Sequence, residues 1–276
     1  MILSNRMSVR IADLYFDESM PPDPDLKPDI VRFNQSPRPI TGAKCAAVST
    51  IVVDLTAPED ELHSNLKSHT RWKIRRAQKD ELIYEFSSDG NPQAAHRFAD
   101  HLDRCTDLKD LNRVSRTRIA ILCRQNLFDV SFVRDSSGEI LCASSYLRTS
   151  SRVRGLWAGA IYRSTTDPTR RTIIGRANRM MYWRDMLRFK AAGITTFDFG
   201  GYYVGSEDVE KLRINGFKEE FGGRVIQEFN CEKVLTIKGA LAAWAIRKRG
   251  QSSTRKRASL RQGPLEEHES TVSASV

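Results

Sequence analysis

Residues suited to chemistry are concentrated in segment 198–223, which contains two glycine pairs. Asp198 lies at the end of a predicted strand, and Gly200 and Gly201 follow it. Glycine adopts positive φ freely and lets the backbone approach a ligand, so this pair forms either a pocket wall or a simple tight turn. Lys218 lies further on between two phenylalanines, where its ammonium either faces solvent or binds an anion.

A group of basic residues lies earlier, in a predicted helix. Lys67, Arg71, Arg75 and Lys79 recur every four residues and would share one helix face. Like charges at this spacing repel by roughly 0.2–0.5 kcal/mol per pair. Either an anionic ligand or acidic groups from elsewhere in the chain must offset that repulsion.

The histidines and cysteines do not indicate a metal site or a nucleophile. The five histidines have no metal-ligand spacing to cysteines or acids, so we predict no metal. The five cysteines are dispersed and include no Cys-x-x-Cys pair. An odd, dispersed set indicates reduced thiols rather than a disulfide framework.

The overall composition is that of an ordinary globular protein. The 276 residues are 40% hydrophobic and 28% charged, and no apolar run reaches the roughly 18 residues that span a bilayer. We therefore expect a cytoplasmic protein without a transmembrane segment, and peripheral membrane contact stays open. The formal charge of +10 indicates a phosphate-bearing partner: nucleic acid, a membrane surface or a phosphorylated ligand. Seven basic residues lie between Arg247 and Arg261, in a serine-rich tail.

Hydrophobic periodicity predicts an α+β domain with a mixed, largely antiparallel sheet and helices on both faces. Strands are predicted at 49–55, 82–86, 128–133, 140–147, 153–161, 195–199 and 223–229. Helices are predicted at 56–79, 92–104, 115–126, 172–192, 207–214 and 239–248. Six of the ten prolines fall between Pro21 and Pro39, which predicts an irregular N-terminal arm over 1–46 that packs on or leads into the domain of 47–249. Residues 250–276 are predicted to be a disordered tail.

Four motifs resemble one known family of enzymes. They are Arg71–Lys79, Met181-Tyr182-Trp183-Arg184-Asp185-Met186, Phe197-Asp198-Phe199-Gly200-Gly201, and Gly216-Phe217-Lys218 followed by Phe221-Gly222-Gly223. They are similar to motifs of the Fem-type peptidoglycan-bridge aminoacyltransferases in the GNAT superfamily. The resemblance implies a single-domain GNAT acyl-CoA N-acyltransferase-like fold, whose sheet splays around an acyl donor while an amine acceptor enters from the other side.

The resemblance also assigns roles to individual residues. Lys218 matches the lysine of a Phe-Lys pair that the family associates with its transfer site, where it would stabilise charge on the acceptor or the transition state. Apart from the resemblance, we predict that Arg75, Arg76, Gly200, Gly201 and Tyr202 bind the substrate.

Attack of an amine on an ester or thioester requires removal of a proton, stabilisation of an oxyanion and often protonation of the leaving group. The candidate bases, acting directly or through water, are Asp198, Glu207 and Asp208. Tyr202 or Tyr203 could protonate the leaving group, and Asp198 could instead be a buried acid that forms a turn. The predicted catalytic set is Lys218, Asp198 and Tyr203.

Two acyl donors remain open. Larger Fem enzymes contain a second GNAT-like half and some a helical hairpin, for which this chain has no room. Its compactness therefore favours an acyl-CoA such as acetyl-CoA as the donor. The Fem-like motifs instead favour aminoacyl-tRNA. Residues 172–177 partly match the Arg/Gln-x-x-Gly-x-Gly/Ala pattern whose amides hold the CoA diphosphate. The predicted cofactor-binding residues are therefore Arg170, Arg171, Gly175 and Arg176. Ordinary surface arginines are the alternative interpretation.

The sequence supports two classes of function. The first is an acyltransferase that acts on an amine, with a sugar-peptide or other cell-envelope precursor as the acceptor and acyl-CoA or aminoacyl-tRNA as the donor. The second is a non-catalytic basic protein that binds nucleic acid through the Lys67–Lys79 face and the arginine-rich tail.

Overall fold

The computed structural model describes residues 1–6, 8–16, 27–107 and 114–245, so the predicted tail of 250–276 lies outside the described residues. Within them the chain forms one ten-stranded sheet. Its strands are β1 (Ile2–Arg6), β2 (Val9–Tyr15), β3 (Ile30–Ser36), β4 (Lys44–Asp54), β5 (Ile83–Ser87), β6 (Phe128–Arg134), β7 (Ile140–Arg148), β8 (Arg152–Ala160), β9 (Thr196–Gly201) and β10 (Arg224–Val234).

Six helices with defined ends accompany the sheet in the described ranges. They are α1 (Glu59–Asn65), α2 (Ser68–Ala77), α3 (Pro92–Asp107), α4 (Arg116–Arg124), α5 (Pro168–Ala191) and α6 (Val209–Glu219). Residues 237–245 are also helical. None of these helices combines the length and the apolar character that crossing a bilayer would require.

The strands follow the order β1-β2-β3-β10-β4-β9-β8-β7-β6-β5. β2 with β3 and β8 with β9 run parallel, and the other neighbours run antiparallel. The predicted three-stranded meander forms β6, β7 and β8. The prediction of a mixed, largely antiparallel α+β sheet is therefore confirmed.

The residues of 1–46 that the structure describes do not form an irregular arm. They contribute β1, β2 and β3 to the same sheet, and β3 pairs with β10 near the opposite end of the chain. The described prolines lie outside the strands: Pro28 precedes β3, and Pro37 and Pro39 follow it. Proline lacks an amide hydrogen for the ladder, so confining it to the connections leaves the strands intact.

Two helices differ from prediction because of tertiary contacts. The helix predicted at 56–79 is divided at Leu66 and Lys67, whose backbone is extended, and the Lys67 amide donates to the carbonyl of Glu220. The helix predicted at 207–214 continues to Glu219. Its first residue is Val209, and the N-cap Asp208 accepts a hydrogen bond from the Lys211 amide through its carboxylate. The last turn of the helix contains Lys218.

The prediction of five reduced cysteines is wrong for two of them. Cys45 on β4 and Cys231 on β10 lie opposite each other in the sheet and form a disulfide across 186 residues of sequence. Strand register, not cysteine spacing, creates this pair. Cys105, Cys123 and Cys142 are free and buried.

Candidate active site

A cleft opens where β8 and β9 stop pairing. Their parallel register runs only from Arg152 opposite Thr196 to Arg154 opposite Asp198, although both strands continue. Gly200 has a φ of +76°, and a Cβ there would lie 2.9 Å from the carbonyl oxygen of Gly155. Only glycine fits this close approach of the two backbones. The resulting cleft has a volume of about 940 Å³.

Aromatic and cationic side chains line this cleft. The aromatic residues are Trp157, Tyr162, Tyr182, Phe199 and Phe217, and the cationic ones are Arg163, Arg179, Arg213 and Lys218. Tyr182 packs against Phe199 and Phe217, with ring centroids 5.3 and 5.5 Å apart. A rigid apolar wall with nearby cations suits a ligand that has both an acyl or aromatic part and an anionic part.

Lys218 lies at the strand end of the cleft, on the last turn of α6. Its Nζ donates to the carbonyls of Gly200, at 3.1 Å, and Gly201. Burial lowers the pKa of Lys218 to about 8, and the nearby Asp198 carboxylate opposes this decrease. A lysine with this pKa is protonated at neutral pH and can still give up its proton.

Asp198 is not placed to act as a base. Its side chain is completely buried, and it accepts hydrogen bonds from the Gln35 amide at 2.8 Å, the Gly200 amide at 2.8 Å, the Arg152 guanidinium at 2.6 Å and the Thr50 hydroxyl. These four donors occupy both oxygens. The structure therefore places Asp198 as the buried, turn-forming acid and leaves it no access to the cleft.

Arg152 extends this arrangement to a second carboxylate. It also donates to Glu228 at 2.5 and 2.9 Å, and its guanidinium lies over the Phe16 ring at 4.2 Å from the centroid. Gln35 donates to both Asp198 and Glu228. We call Gln35, Thr50, Arg152, Asp198 and Glu228 the Asp198 network. This network joins β3, β4, β8, β9 and β10 at the end of the cleft where β8 and β9 are still paired.

A second buried carboxylate lies behind the aromatic wall. Asp185 on α5 accepts hydrogen bonds from the hydroxyls of Tyr84 at 2.7 Å, Ser131 at 2.8 Å and Tyr146 at 2.5 Å. Burial raises the pKa of Asp185 to about 7, and the three hydroxyl donors only partly oppose this increase.

Three side chains with hydroxyl groups lie between Asp185 and the cleft. The Ser144 side chain lies close enough to the hydroxyls of Tyr146 and Tyr182 to lower the pKa of each, against the larger increase that burial causes. Ser144 and Tyr182 both line the cleft. Tyr182, Ser144 and Tyr146 therefore lie in series between the cleft and the Asp185 carboxylate, and we call these three side chains the hydroxyl relay.

A bidentate ion pair fixes the far wall of the cleft. Arg179 on α5 donates to Glu220 at 2.6 and 2.7 Å, and Thr70 on α2 donates to the same carboxylate at 2.8 Å. Burial alone would raise the pKa of Glu220, but hydrogen bonds from Arg179, His69 and Thr70 lower it below its ordinary value. The end of α6, and with it Lys218, is thereby fastened to α2 and α5.

The predicted phosphate site is not assembled at the start of α5. The helix begins at Pro168, and the Asp167 carboxylate accepts from the first free amides, those of Thr169 and Arg170. Gly175 therefore lies inside the helix, where it makes room for the Tyr162 hydroxyl.

The three predicted arginines around that site do not converge. Arg170 is bound to Asp135 and Glu139 at 2.5 and 2.7 Å. Arg176 makes a bidentate pair with Asp80, and Arg171 donates to the carbonyl of Thr165. Acids from distant parts of the sequence thus satisfy the charges of Arg170 and Arg176, two of the arginines predicted to bind a diphosphate.

The remaining predicted residues lie outside the cleft lining. The Tyr202 hydroxyl donates to Glu219 at 2.6 Å, and the backbone of Tyr203 is hydrogen-bonded to the Asn215 side chain. Arg75 and Arg76 are exposed on α2. Among the predicted site residues, the structure brings together Lys218, Gly200 and Gly201.

The sequence-based predictions did not assign roles to Tyr182, Ser144 and Asp185. A signal was present in the helical period of α5, because Asp185 lies four and eight residues after Met181 and Ala177, which are both buried. An acid on the apolar face of a long helix indicates a buried carboxylate that needs donors.

Comparison with known proteins identifies the fold. FemX is 14% identical and matches over 68% of this chain and 61% of the FemX chain, with a TM-score of 0.55. The C-terminal domain of a putative lysylphosphatidylglycerol synthetase from Agrobacterium fabrum is 17% identical over 78% of this chain and 70% of that chain, with a TM-score of 0.51. No protein-family model and no curated protein matches the chain. The predicted Fem-type fold is confirmed, and these identities establish the fold alone.

Replacement of Asp198 tests its structural role. Asp198→Ala should lower the free energy of unfolding by about 3 kcal/mol, because buried donors on Arg152, Gln35 and Gly200 lose their acceptor. Urea unfolding followed by tryptophan fluorescence measures this change. Glu207→Ala, at an exposed position nearby, should change stability by about 0.5 kcal/mol at most. Wild-type stability in Asp198→Ala would contradict this assignment.

Proposed function

We propose that this protein is an acyltransferase that moves an acyl group to an amine in the cleft between β8 and β9. The observation that carries this proposal is the position of Lys218. Its ammonium lies at the splayed strand ends, held by the carbonyls of Gly200 and Gly201 beside an aromatic wall. A fixed cation in a partly desolvated site stabilises the negative charge that forms when an amine attacks an ester or thioester.

The proposed reaction forms a C–N bond and breaks the bond between the carbonyl carbon and the leaving oxygen or sulfur. Lys218 stabilises the oxyanion of the tetrahedral intermediate and donates its proton to the leaving group. The lowered pKa of Lys218 suits this second role, because an ordinary lysine releases its proton less readily.

The attacking amine must lose a proton, and the hydroxyl relay supplies a path for it. Tyr182 accepts the amine proton as its own proton moves to Ser144. The Ser144 proton moves to Tyr146, and the Tyr146 proton moves to the Asp185 carboxylate. A buried acid with a pKa of about 7 is suited to accept a proton at neutral pH.

The surroundings of α5 favour aminoacyl-tRNA over acyl-CoA as the donor in this proposal. A CoA diphosphate needs free amides at the helix start, and Asp167 already occupies two of them with a negative charge. By contrast, Arg163 and Arg213 line the cleft, and Arg75 and Arg76 lie exposed on α2, which packs against α5. Such dispersed cations suit a long phosphate backbone better than one diphosphate.

We further propose a cell-envelope precursor as the acceptor. The resemblance to peptidoglycan-bridge enzymes supports an amine on such a precursor. By its name, one of the proteins compared above is a putative lysylphosphatidylglycerol synthetase. The class of acceptor therefore rests on similarity, whereas the proposed chemistry rests on the cleft.

Donor binding tests the proposed function. Isothermal calorimetry with aminoacylated tRNA should show binding that exceeds binding of the same tRNA after deacylation, and acetyl-CoA should give no heat of binding. Binding of acetyl-CoA without tRNA would assign the donor to acyl-CoA instead. Equal binding of both tRNA forms, with no acyl transfer to any amine, would favour the non-catalytic nucleic-acid-binding protein.

Replacement of Lys218 tests its catalytic role. Lys218→Ala should lower kcat by about 10²–10³-fold, because the oxyanion loses its cation. The control is Lys211→Ala on the same helix, where the exposed lysine pairs with Asp208 and should leave kcat within about twofold. Circular dichroism verifies that both variants fold. Unchanged turnover in Lys218→Ala would remove this residue from the site.

The hydroxyl relay predicts a specific pH profile. Activity should rise as Asp185 ionises near pH 7 and fall as Lys218 loses its proton above about pH 8. Asp185→Asn should abolish the acidic limb, and Tyr182→Phe should lower kcat about 10²-fold with little change in KM. Full kcat in a folded Tyr182→Phe variant would exclude the relay while leaving the acyltransferase proposal intact.

A further inference from the structure

Arg154 on β8 carries a positive charge that no acid pairs with in the described ranges. Its side chain makes no hydrogen bond or ion pair there, and its Nε is buried without an acceptor. Arg152, two residues earlier, instead pairs with Asp198 and Glu228. A buried guanidinium nitrogen is normally hydrogen-bonded, so an unpaired arginine with such an atom points to a ligand that supplies the acceptor.

Arg154 projects from the sheet face opposite α5. Successive side chains along a strand point to opposite faces. Phe197 on β9 packs against Phe189 of α5, with ring centroids 6.1 Å apart, so it points toward that helix. Asp198 therefore points the other way, and Arg154 lies directly opposite Asp198 in the parallel register of β8 and β9. The aromatic wall that contains Tyr182 and the Arg154 side chain thus lie on opposite faces of the sheet.

A second arginine and a phenol lie beside Arg154. Arg118 on α4 donates to the Tyr15 hydroxyl at 3.3 Å, and its guanidinium carbon lies 6.0 Å from the centroid of the Trp157 ring. Arg118 and Arg154 are both close enough to Tyr15 to lower its pKa, against the larger increase that burial causes. We call Tyr15, Arg118 and Arg154 the arginine cluster. It borders the cleft, because Trp157 and Gly155 line that cleft.

The arginine cluster has an excess of positive charge. Asp13 opposes its two arginines, since the Asp13 charge raises the pKa of Tyr15. Lys218 adds a third cation nearby. Burial is the main cause of its lowered pKa, and the charge of Arg154 lowers it further, while Asp198 opposes both effects. Like charges held close together in a partly buried region repel, so an anion between them would be stabilised.

We propose that the arginine cluster binds the phosphate group of a substrate, on the side of the cleft opposite α5. Two guanidinium groups and a phenol present several N–H and O–H donors, and a phosphate has enough acceptor oxygens to bind both arginines. A carboxylate would be occupied by one guanidinium fork and would leave the other arginine unpaired.

The phosphate can belong to either substrate of the proposed reaction. A phosphorylated amine acceptor and a tRNA donor present the same group to the two arginines. The inference rests on the proposed function only in calling the ligand a substrate, because phosphate binding itself requires no acyl transfer.

Titration of the full chain with inorganic phosphate tests this proposal. Calorimetry in a chloride buffer of low ionic strength should show saturable binding of one phosphate per chain. Arg154→Gln and Arg118→Gln should each weaken binding about tenfold or more, because charge-assisted hydrogen bonds are lost. Binding should also change the tryptophan fluorescence, and Trp157→Phe should remove this change while the heat of binding is retained.

The matched control is Arg124→Gln, which removes an exposed arginine from the same helix as Arg118 and should bind phosphate like wild type. Thermal unfolding verifies that every variant folds. If Arg154→Gln does not fold, the exposed Arg118 decides the test. No saturable binding by wild type, or full binding by a folded Arg118→Gln variant, would overturn the proposal. Loss of binding in Arg213→Gln with full binding in Arg154→Gln would overturn it in favour of the α5 side of the cleft.

Competition shows which substrate carries the phosphate. Displacement of phosphate by deacylated tRNA, weakened in Arg154→Gln, would assign the group to the donor. Displacement by glycerol 3-phosphate and not by tRNA would assign it to a small phosphorylated acceptor. Displacement by neither would overturn the assignment to a substrate. Because none of these measurements involves acyl transfer, their failure would leave the proposed function intact, and a lack of acyl transfer would leave the phosphate site intact.

Discussion

The Asp198 carboxylate lies in the middle of the sheet, without contact with water, where it would be costly to leave unpaired. Arg152 supplies the opposite charge, and Gln35, Thr50 and the Gly200 amide supply the remaining donors. Because these groups come from β3, β4, β8 and β9, the carboxylate fixes how these strands meet. It lies at the last paired position of β8 and β9, so it also determines where the two strands begin to diverge.

The candidate active site depends on this buried carboxylate indirectly. The Gly200 amide donates to Asp198, and the Gly200 carbonyl accepts from Lys218. The same residue therefore connects the buried network to the cation in the cleft. The ion pair between Arg179 and Glu220 fixes the other side of Lys218 by holding the end of α6. The Arg152–Asp198 and Arg179–Glu220 ion pairs, both largely buried, thus fix the position of the partly buried Lys218.

The contrast between Asp198 and Asp185 shows how surroundings separate two buried acids. Asp198 is bound by a guanidinium group, whereas Asp185 is bound only by hydroxyl groups among the hydrogen bonds that the structure describes. Hydroxyl donors do not offset burial fully, so the pKa of Asp185 rises to about 7. The Asp198 carboxylate is therefore suited to hold the sheet together, and the Asp185 carboxylate is suited to exchange a proton.

The sequence by itself determined the features that depend on local patterns. Helical period and strand alternation predicted α5 and the meander of β6 to β8, and the Fem-like motifs pointed to the fold and to Lys218. Only the tertiary structure decided which charged side chains are free to bind a ligand and which are paired within the protein. Arg170 and Arg176 are neutralised by acids 31 to 96 residues away, and Cys45 meets Cys231 across 186 residues. Capping and periodicity act over a few residues, whereas burial and ion pairing depend on strand order, which no local pattern contains.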